Sequence, residues 1–285
     1  MARTTNDGVT AGQLGRFTPG QPDGLDQPAG GSVPGLPAII FMTGGGTAAN
    51  ASPAGIGMDD KLNALTAAGY SIGQPNVPWA LGGPGTTGAP AGTPGSGLVV
   101  TEDAINDCLT WMRQPIVGAV GCGCTMDPPI LIGASNGWVC SITYARDFPV
   151  TGVIGFLPVT AGKDGYDDAA LAASYDIHDR IAHAWNTNGV DYPSDGKYSP
   201  FDDIANYPDL RGKVQAWYAC NDPLLVAQQM SFLQRPPIFA EMHNVGDNGH
   251  LGVLVISGEL VTPDPVLNAD TAEVVRFVDD LVAAL

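Results

Sequence analysis

The sequence predicts an α/β domain in which helices flank a mostly parallel central sheet. Two observations lead to this fold class. First, apolar segments of strand length alternate along the chain with segments whose apolar residues recur at helical spacing. Second, the strand segments are continuously apolar, which is typical of parallel strands that are buried on both faces. A chain of 285 residues, of which 44% are hydrophobic, is long enough to bury such a core.

An N-terminal arm precedes the predicted domain. Residues 1–36 are rich in Gly, Pro, Gln and Asp and show no hydrophobic periodicity, so they cannot bury enough apolar surface to fold alone. We therefore expect an extension that either lies along the domain or reaches a partner. Residues 37–285 form the predicted domain, which includes a polar insertion with scattered aromatic residues at 163–208.

The first half of the domain contains three predicted strands and the helices between them. The strand in "LPAIIFM" ends in a glycine loop and is followed by a helix in "MDDKLNALTAAG" and a short strand in "YSIGQPNV". Residues 77–100 are dense in Gly and Pro and predict a long loop near a site. Thr101 then opens a helix that places Ile105, Leu109 and Met112 on one face. A buried strand in "PPILIGA" leads into the next helix.

The second half continues the alternation of strands and helices. An apolar strand in "VTGVIGFLPV" precedes the insertion, in which residues 169–185 are predicted to form a helix. The segments "KVQAWYA" and "IFAEMHN" are predicted strands that each run into polar residues, and "ADTAEVVRFVDDLVAAL" predicts a closing amphipathic helix. The polar ends matter because parallel sheets bind ligands at the carboxyl ends of their strands.

The charge balance excludes several classes of partner. Twelve basic against 29 acidic residues give a net charge of -17, which disfavours nucleic acid and anionic membrane surfaces. No apolar run reaches the ~18 residues that cross a bilayer, and the N-terminus lacks the apolar core of a secretory signal. We therefore expect a soluble protein that is cytoplasmic or associated with a particle.

The cysteines do not form the pattern of a disulfide framework. The chain has five of them, at irregular spacing: Cys108, Cys122, Cys124, Cys140 and Cys220. The pair in "GCGC" has the composition for a metal site or a strained disulfide, but no second pair has zinc spacing. Small buried or loop thiols are the expectation.

A Gly-x-Ser-x-Gly pentad marks the candidate nucleophile. Gly133, Ser135 and Gly137 lie between an apolar strand and a helix, which is the context that this motif requires. A serine on such a sharp turn has a strained backbone, and side chains at the flanking positions would collide across it. The turn lifts the hydroxyl out of the sheet and points the first amides of the helix at the reacting group. The alternative is a tight turn with no chemical role.

A serine nucleophile needs a base, and the chain has four histidines, of which two lie in the insertion: His178 and His183. His243 falls inside a predicted strand, where a structural histidine is expected. His250 follows that strand in the polar segment "VGDNGHLG", where a parallel sheet delivers side chains to its carboxyl edge. His250 is therefore the candidate base.

The base needs a carboxylate that orients it and stabilises its charged form. Asp222 ends the segment "WYACND" after a predicted strand and precedes His250 by 28 residues, so it is the favoured acid. Asp247, three residues before the histidine, is the main rival, and Asp164 is a third candidate.

A developing oxyanion needs preorganised amide donors. Asn136, directly after the serine, is expected to supply one from its backbone. The segment "TGGG" after the first domain strand is expected to supply another from Gly44 or Gly45, because glycines let the backbone approach a substrate closely. A plain glycine turn is the alternative interpretation of this segment.

These features together resemble the α/β-hydrolase superfamily over residues 36–285. A glycine loop after an early strand, Gly-x-Ser-x-Gly between strand and helix, an acid after a later strand and a histidine after the last strand occur in the superfamily's order. The resemblance implies the α/β-hydrolase fold. It also implies roles for individual residues: nucleophile Ser135, base His250, third triad member Asp222, and oxyanion hole Asn136 with Gly45 or Gly44. Many relatives begin the glycine loop with histidine, whereas Thr43 stands here.

The insertion sits where such enzymes commonly place a cap over the site. Its aromatic residues either line a substrate pocket or form the cap's own small core: Tyr166, Tyr175, Trp185 and Tyr192.

The expected function is hydrolysis of a carboxylic ester, or less readily an amide, through an acyl-enzyme and without a metal or organic cofactor. The alternative is a hydrolase-fold protein that serves as a structural or binding component of a larger assembly, such as a viral particle. Gly/Pro-rich arms often order only against a neighbouring subunit, so the arm is the expected contact for a homo-oligomer or assembly.

Overall fold

An eight-stranded sheet forms the centre of the molecule. The computed structural model describes residues 2–5, 24–42, 58–75, 98–117, 121–158, 200–201, 203–220, 222, 227–246, 255–256, 259–260 and 269–285. The strands of the sheet are β1 (Ala2–Thr5), β2 (Gly24–Gln27), β3 (Ile39–Met42), β4 (Ile72–Gln74), β5 (Ile130–Ala134), β6 (Gly152–Phe156), β7 (Val214–Tyr218) and β8 (Glu241–Asn244). Their order is β1-β2-β4-β3-β5-β6-β7-β8. Strands β3 to β8 run parallel, and β1 and β2 pair antiparallel at one edge, so the mostly parallel sheet is confirmed.

Helices cover both faces of the sheet. They are α1 (Asp59–Ala67), α2 (Leu98–Met112), α3 (Asn136–Asp147), α4 (Ala227–Gln234) and α5 (Thr271–Ala283). Side chains of β3 and β5 alternate between two buried clusters, one shared with α2, α3 and α4 and the other with α1 and α5. Burial on both faces explains why the strands are continuously apolar. A separate hairpin pairs β9 (Val255–Ile256) with β10 (Glu259–Leu260).

Two pieces of the N-terminal arm extend the sheet. β2 pairs antiparallel with β4, and β1 pairs with the outer side of β2. An edge strand presents unpaired backbone N–H and C=O groups, so a neighbouring segment of almost any composition gains hydrogen bonds by pairing with it. The sequence left two placements open for the arm, along the domain or against a partner. These two pieces lie along the domain. The division of the chain into arm and domain at residue 36 stays a prediction.

Several element boundaries differ from the sequence prediction. Helix α2 begins at Leu98, three residues before Thr101, so Thr101 is not its N-cap. The apolar residues at the start of α2 continue its helical pattern, which extends the helix beyond the polar residue. The face formed by Ile105, Leu109 and Met112 is buried, as predicted.

At the other end of the sheet, β8 starts at Glu241 rather than at Ile238, because the residues before it form a turn in which Phe239 has a φ of 44°. Helix α4 and the β9–β10 hairpin were not predicted from the sequence.

The insertion is described only near its end. Ile204–Asn206 form one 3₁₀ turn, and the helix predicted at 169–185 lies outside the described residues. The described end is attached to α3 by an ion pair between Arg146 and the buried Asp203. The ring of Tyr207 meets Phe232 of α4 edge to face, with ring centroids 5.5 Å apart. The root of the insertion is therefore fixed to the helix that follows the candidate nucleophile.

All five cysteines lie in the described part of the chain and are thiols. Four are buried and Cys220 is exposed, which confirms the expectation of small buried or loop thiols. Among the residues that the structure describes, no group of three His, Cys, Asp or Glu side chains is arranged to hold a metal ion. The same residues include no helix with the length and apolar character that a bilayer crossing demands.

Candidate active site

Ser135 occupies the turn between β5 and α3 with a backbone conformation that non-glycine residues rarely adopt. Its φ is 50° and its ψ is -115°. The Ser135 amide donates to the Phe156 carbonyl of β6 at 2.9 Å, and the Ser135 carbonyl accepts from the Trp138 amide at 3.0 Å. Such a conformation costs about 1–3 kcal/mol and persists only where the surroundings enforce it. These two hydrogen bonds enforce it here.

The glycine before the serine lets the strand end meet the helix start. A Cβ added at Gly133 would lie 2.4 Å from the carbonyl carbon of Gly137 and 2.5 Å from the amide nitrogen of Trp138. Backbone atoms cannot move aside as a flexible side chain can, so any side chain at position 133 would force the turn open. This contact supplies the physical reason for the first glycine of the pentad.

Trp138 presses α3 against the sheet. Its side chain is fully buried, and a Cβ added at Gly155 of β6 would lie 2.2 Å from its ring. The indole therefore fills the space that Gly155 leaves open in the middle of an apolar strand. This packing fixes the direction of α3 and holds its N-terminus at the carboxyl edge of β5.

The amides of the first turn of α3 point toward the serine turn. Asn136 is the first residue of α3, and the first amides of a helix have no partner within it. These groups also carry the positive end of the helix dipole, which favours negative charge nearby. The role of the Asn136 amide as an oxyanion donor stays a prediction.

The glycine loop begins beside the serine turn. Met42, the last residue of β3, is paired in register with Gly133 of β5. The chain thus leaves β3 at Met42 next to the turn that carries Ser135, two residues before Gly44. Gly44 and Gly45 themselves lie outside the described residues.

Asp222 lies at the same edge of the sheet as Ser135. It follows β7, which is separated from β5 by β6 alone, and all three strands are parallel. Asp222 is buried, with 5% of its surface exposed, and its amide donates to the Ala219 carbonyl at 3.2 Å. The structure therefore brings Asp222 and Ser135 to one edge, as the sequence predicted.

Hydrogen bonds beyond the strand ends tie the Asp222 segment to the segment that leads to His250. The Val245 amide donates to the Tyr218 carbonyl at 2.9 Å, and the Cys220 amide donates to the Gly246 carbonyl at 3.1 Å. Gly246 precedes His250 by four residues. The two segments therefore leave the sheet side by side.

Several predicted site residues lie outside the described part of the chain. They are Gly44, Gly45, Asp164, Tyr166, Tyr175, Trp185, Tyr192, Asp247 and His250, together with His178 and His183. Their roles stay predictions.

His243 is a structural residue of β8, which agrees with the sequence interpretation. Its ring stacks on Trp217 with centroids 4.2 Å apart, and its Nε2 lies 2.7 Å from Oε1 of Glu241. The same carboxylate accepts from Gln215 at 3.0 Å and pairs with Arg276 of α5. These contacts join two strands to the last helix and leave His243 within the sheet.

The Glu241 network predicts a pH dependence of stability. Burial raises the pKa of Glu241, but hydrogen bonds from Gln215 and His243 and the charge of Arg276 outweigh it and lower the pKa below its ordinary value. A lowered pKa stabilises the fold above the ordinary value, and this stabilisation is lost as the pH falls through the folded-state pKa. We expect Glu241→Gln to flatten the decrease in urea midpoint between neutral and acidic pH. An unchanged slope in this variant would contradict the assignment.

One feature at the site edge had no sequence signal. Leu157, directly after β6, has a φ of 50° and donates its amide to the Trp217 carbonyl at 2.7 Å. It lies between the strand ends that carry Ser135 and Asp222. Leucine is not a residue type that predicts positive φ, so only the tertiary hydrogen bond identifies this position.

Comparison with known proteins identifies the fold. No protein-family model matches the sequence, and no curated protein matches it significantly. Solved structures do match. Esterase B from Lactobacillus rhamnosis is similar with a TM-score of 0.58 and 15% identity over 92% of this chain and 81% of that one. Carboxyl esterase 2 from the fungus Tuber melanosporum has a TM-score of 0.56 and 16% identity over 92% and 82%. A bacterial brefeldin A esterase has a TM-score of 0.53 and 18% identity over 92% and 73%.

The chain has the α/β-hydrolase fold. Within this fold, the turn after β5 carries Ser135, the segment after β7 carries Asp222, and the chain that leaves β8 leads to His250. The candidate serine, acid and histidine thus follow one another along the chain in the order that α/β-hydrolases use.

Proposed function

We propose that this protein is a serine hydrolase that cleaves a carboxylic ester, and less readily an amide, through an acyl-enzyme. The observation that carries the proposal is the strained Ser135 backbone on the turn between β5 and α3. A merely structural turn at this place gains nothing from a non-glycine residue at positive φ. A nucleophile gains from this turn a position at the carboxyl edge of the sheet, a short distance from the first amides of a helix.

The proposed reaction has two halves. In the first, the Ser135 hydroxyl attacks the ester carbonyl while His250 accepts its proton, and the alcohol leaves with that proton. In the second, His250 takes a proton from water, which attacks the acyl group and releases the acid and Ser135. The Asn136 amide, with Gly45 or Gly44, would donate to the oxyanion that forms in both halves.

Asp222 is the proposed partner of His250. A carboxylate in this role holds the imidazole in the required tautomer and stabilises its charged form. Asp222 suits the role because it is buried, where the attraction between opposite charges is stronger than in water. The hydrogen bonds that join the β7 and β8 segments support the pairing, since they keep the two segments adjacent.

Ester chemistry is proposed partly from the structural neighbours. Three of the similar structures are described as esterases, and each covers 92% of this chain. At 14–18% identity such similarity supports the fold, so the bond that is cleaved has to be found by experiment. A panel of p-nitrophenyl esters of increasing acyl length, with a matched anilide, measures both the preference for esters and the acyl size.

A fluorophosphonate probe tests the proposed function without knowledge of the substrate. We expect one adduct, on Ser135, because the phosphonate reacts only with a serine whose proton is taken by a base. The His250→Ala variant should label at least about 100 times more slowly, since general-base catalysis contributes about that much or more. His243→Ala is the matched control and should label at the wild-type rate. An adduct on another serine, or equal labelling of wild type and His250→Ala, would contradict the proposal.

The identity of the acid can be tested with two isosteric variants. We expect Asp222→Asn to lower kcat by about 10⁴, because an amide favours the wrong tautomer of the base. Asp247→Asn, the sequence-based rival, should leave kcat within about threefold of wild type, since a carboxylate that does not orient the base contributes little to the reaction. The reverse result would move the role to Asp247.

The remaining expectations about partners stay proposals. We propose an ester substrate and no nucleic acid or membrane partner, on the basis of the net charge of -17. The assembly hypothesis rested on an arm that orders only against a neighbour. Since β1 and β2 pair with the protein's own sheet, that part of the arm needs no neighbour to be ordered.

A further inference from the structure

The "GCGC" segment that follows α2 has a geometry that the proposed hydrolase does not use. Gly121 and Gly123 have φ angles of 73° and 64°. The amides of Cys122 and Cys124 both donate to the same acceptor, the Met112 carbonyl, at 2.9 and 3.2 Å. The segment therefore curls around one carbonyl oxygen and brings the two cysteines to the same side.

One residue separates the two cysteines, so this turn keeps them close together. The interaction between the two thiols lowers the pKa of Cys122 and raises that of Cys124. A disulfide needs Cα atoms roughly 4.4–6.8 Å apart, and a single glycine at positive φ between two cysteines folds the chain back into this range. A Cβ at Gly121 would lie 2.3 Å from the Gln114 carbonyl oxygen, so the turn is closely packed against the chain before it.

The Cys122 sulfur accepts a hydrogen bond from the end of β2. The Nε2 group of Gln27 donates to it at 3.6 Å. The neighbouring Ser71 hydroxyl donates to the Ser32 hydroxyl oxygen at 3.0 Å. The neighbouring Cys124 thiol, opposed by burial and assisted by the Ser32, Gln27 and Ser71 side chains, lowers the pKa of Cys122 below its ordinary value. A lowered pKa favours the thiolate, which is the reactive form.

We propose that Cys122 and Cys124 form a dithiol that a small hydroperoxide oxidises to an intramolecular disulfide. The Cys122 thiolate attacks the peroxide oxygen and becomes a sulfenic acid, while the O–O bond breaks and the leaving oxygen takes a proton from solvent. The Cys124 sulfur then attacks the Cys122 sulfur and expels the hydroxyl group, which leaves as water with the Cys124 proton. Two thiols are oxidised by two electrons, and one peroxide is reduced.

Access to the pair favours a small oxidant. Cys122 is fully buried, and Cys124 is 7% exposed. The intervening Gly123 is half-buried and faces the exposed residues Pro34 and Ile116, which lie 3.6 and 3.7 Å from a Cβ built there. Oxidation therefore proceeds from this side and more slowly than at the exposed Cys220.

Oxidation has a structural consequence at the sheet edge. Gln27 is the last residue of β2, and β2 links β1 to the rest of the sheet. A disulfide sulfur is a weaker acceptor than a thiolate, so the contact between Gln27 and Cys122 weakens when the disulfide forms. The N-terminal edge of the sheet should then open more often.

The test uses the full chain in a Cys220→Ser background, which removes the exposed thiol. We expect hydrogen peroxide to convert the fragment that contains Cys122 and Cys124 to a form lighter by two hydrogen atoms, reversible by dithiothreitol. Amide hydrogen exchange at residues 25–27 should rise at least twofold on oxidation and return on reduction. If Cys122 and Cys124 both still react with maleimide when the peroxide-treated protein is denatured, the proposal is overturned. A disulfide from either residue to Cys108 would also overturn it. Unchanged exchange in the oxidised protein would overturn the proposed loosening of β2.

Single variants separate the two steps. Cys124→Ser should leave a sulfenic acid on Cys122 that dimedone traps, because the resolving thiol is gone. Cys122→Ser should give no such adduct on Cys124. Cys140→Ser, which alters another buried cysteine in the same half of the chain, is the matched control and should form the disulfide normally. A dimedone adduct on Cys124 in the Cys122→Ser variant would contradict the assignment of Cys122 as the reactive thiol.

Discussion

Ser135→Ala is expected to lower ester turnover by about four to six orders of magnitude, which is the loss seen when a hydrolase loses its nucleophile. The variant keeps the β-carbon and the backbone hydrogen bonds to Phe156 and from Trp138, so the turn remains. Its free energy of unfolding should stay within about 1 kcal/mol of wild type. Only the atom that forms the acyl bond is removed.

The measurement pairs turnover of a p-nitrophenyl ester with urea unfolding of the same preparation. Ser141→Ala is the matched control, because Ser141 is a buried serine of α3 whose hydroxyl donates to the Gly137 carbonyl at 2.8 Å. We expect this control to lose at most about 1 kcal/mol of stability and to keep its turnover. Residual turnover in Ser135→Ala above one hundredth of wild type would refute Ser135 as nucleophile.

Gly133→Val is expected to have the largest effect on stability, about 3 kcal/mol or more. Its Cβ would lie 2.4 Å from the Gly137 backbone, and two further methyl groups would add to the collision. Relief requires the end of β5 to separate from the start of α3. That movement also disturbs the packing of Trp138 on Gly155 and moves the Ser135 hydroxyl away from the edge, so turnover falls as well.

Urea unfolding measures this prediction, with Gly30→Val as its control. A Cβ at Gly30 meets nothing within 4 Å, so the same substitution there should change the free energy of unfolding by about 0.5 kcal/mol or less. Gly133→Ala should be intermediate, because it adds the colliding Cβ without the two methyl groups. Equal urea midpoints for Gly133→Val and wild type would contradict the described turn.

The two variants separate chemistry from geometry. Ser135→Ala should lose turnover without losing stability, whereas Gly133→Val should lose both. A result in which both variants keep their stability and lose turnover would mean that the turn tolerates a side chain and that position 133 acts on the reaction in another way.

The sequence by itself determined the central sheet and the candidate nucleophile. Continuous apolar segments such as "ILIGA" predict strands buried on both faces, because a parallel sheet must bury both. The glycines around Ser135 predict the sharp turn for an equally local reason, since only residues without side chains permit this approach of strand and helix. The position of Asp222 after a strand is also readable from the sequence, because strand ends in a parallel sheet share one edge.

Other features were decided only by the tertiary structure, because they depend on contacts between residues far apart in the sequence. The polar segment Gly24–Gln27 becomes a strand because the edge of β4 offers it backbone hydrogen bonds, and no hydrophobic pattern announces this. Leu157 takes a positive φ because its amide bonds to β7. The Cys122 sulfur gains a donor from Gln27, which lies 95 residues away along the chain. Local propensity determined the elements, and packing between them determined the edges, the strained positions and the surroundings of each reactive group.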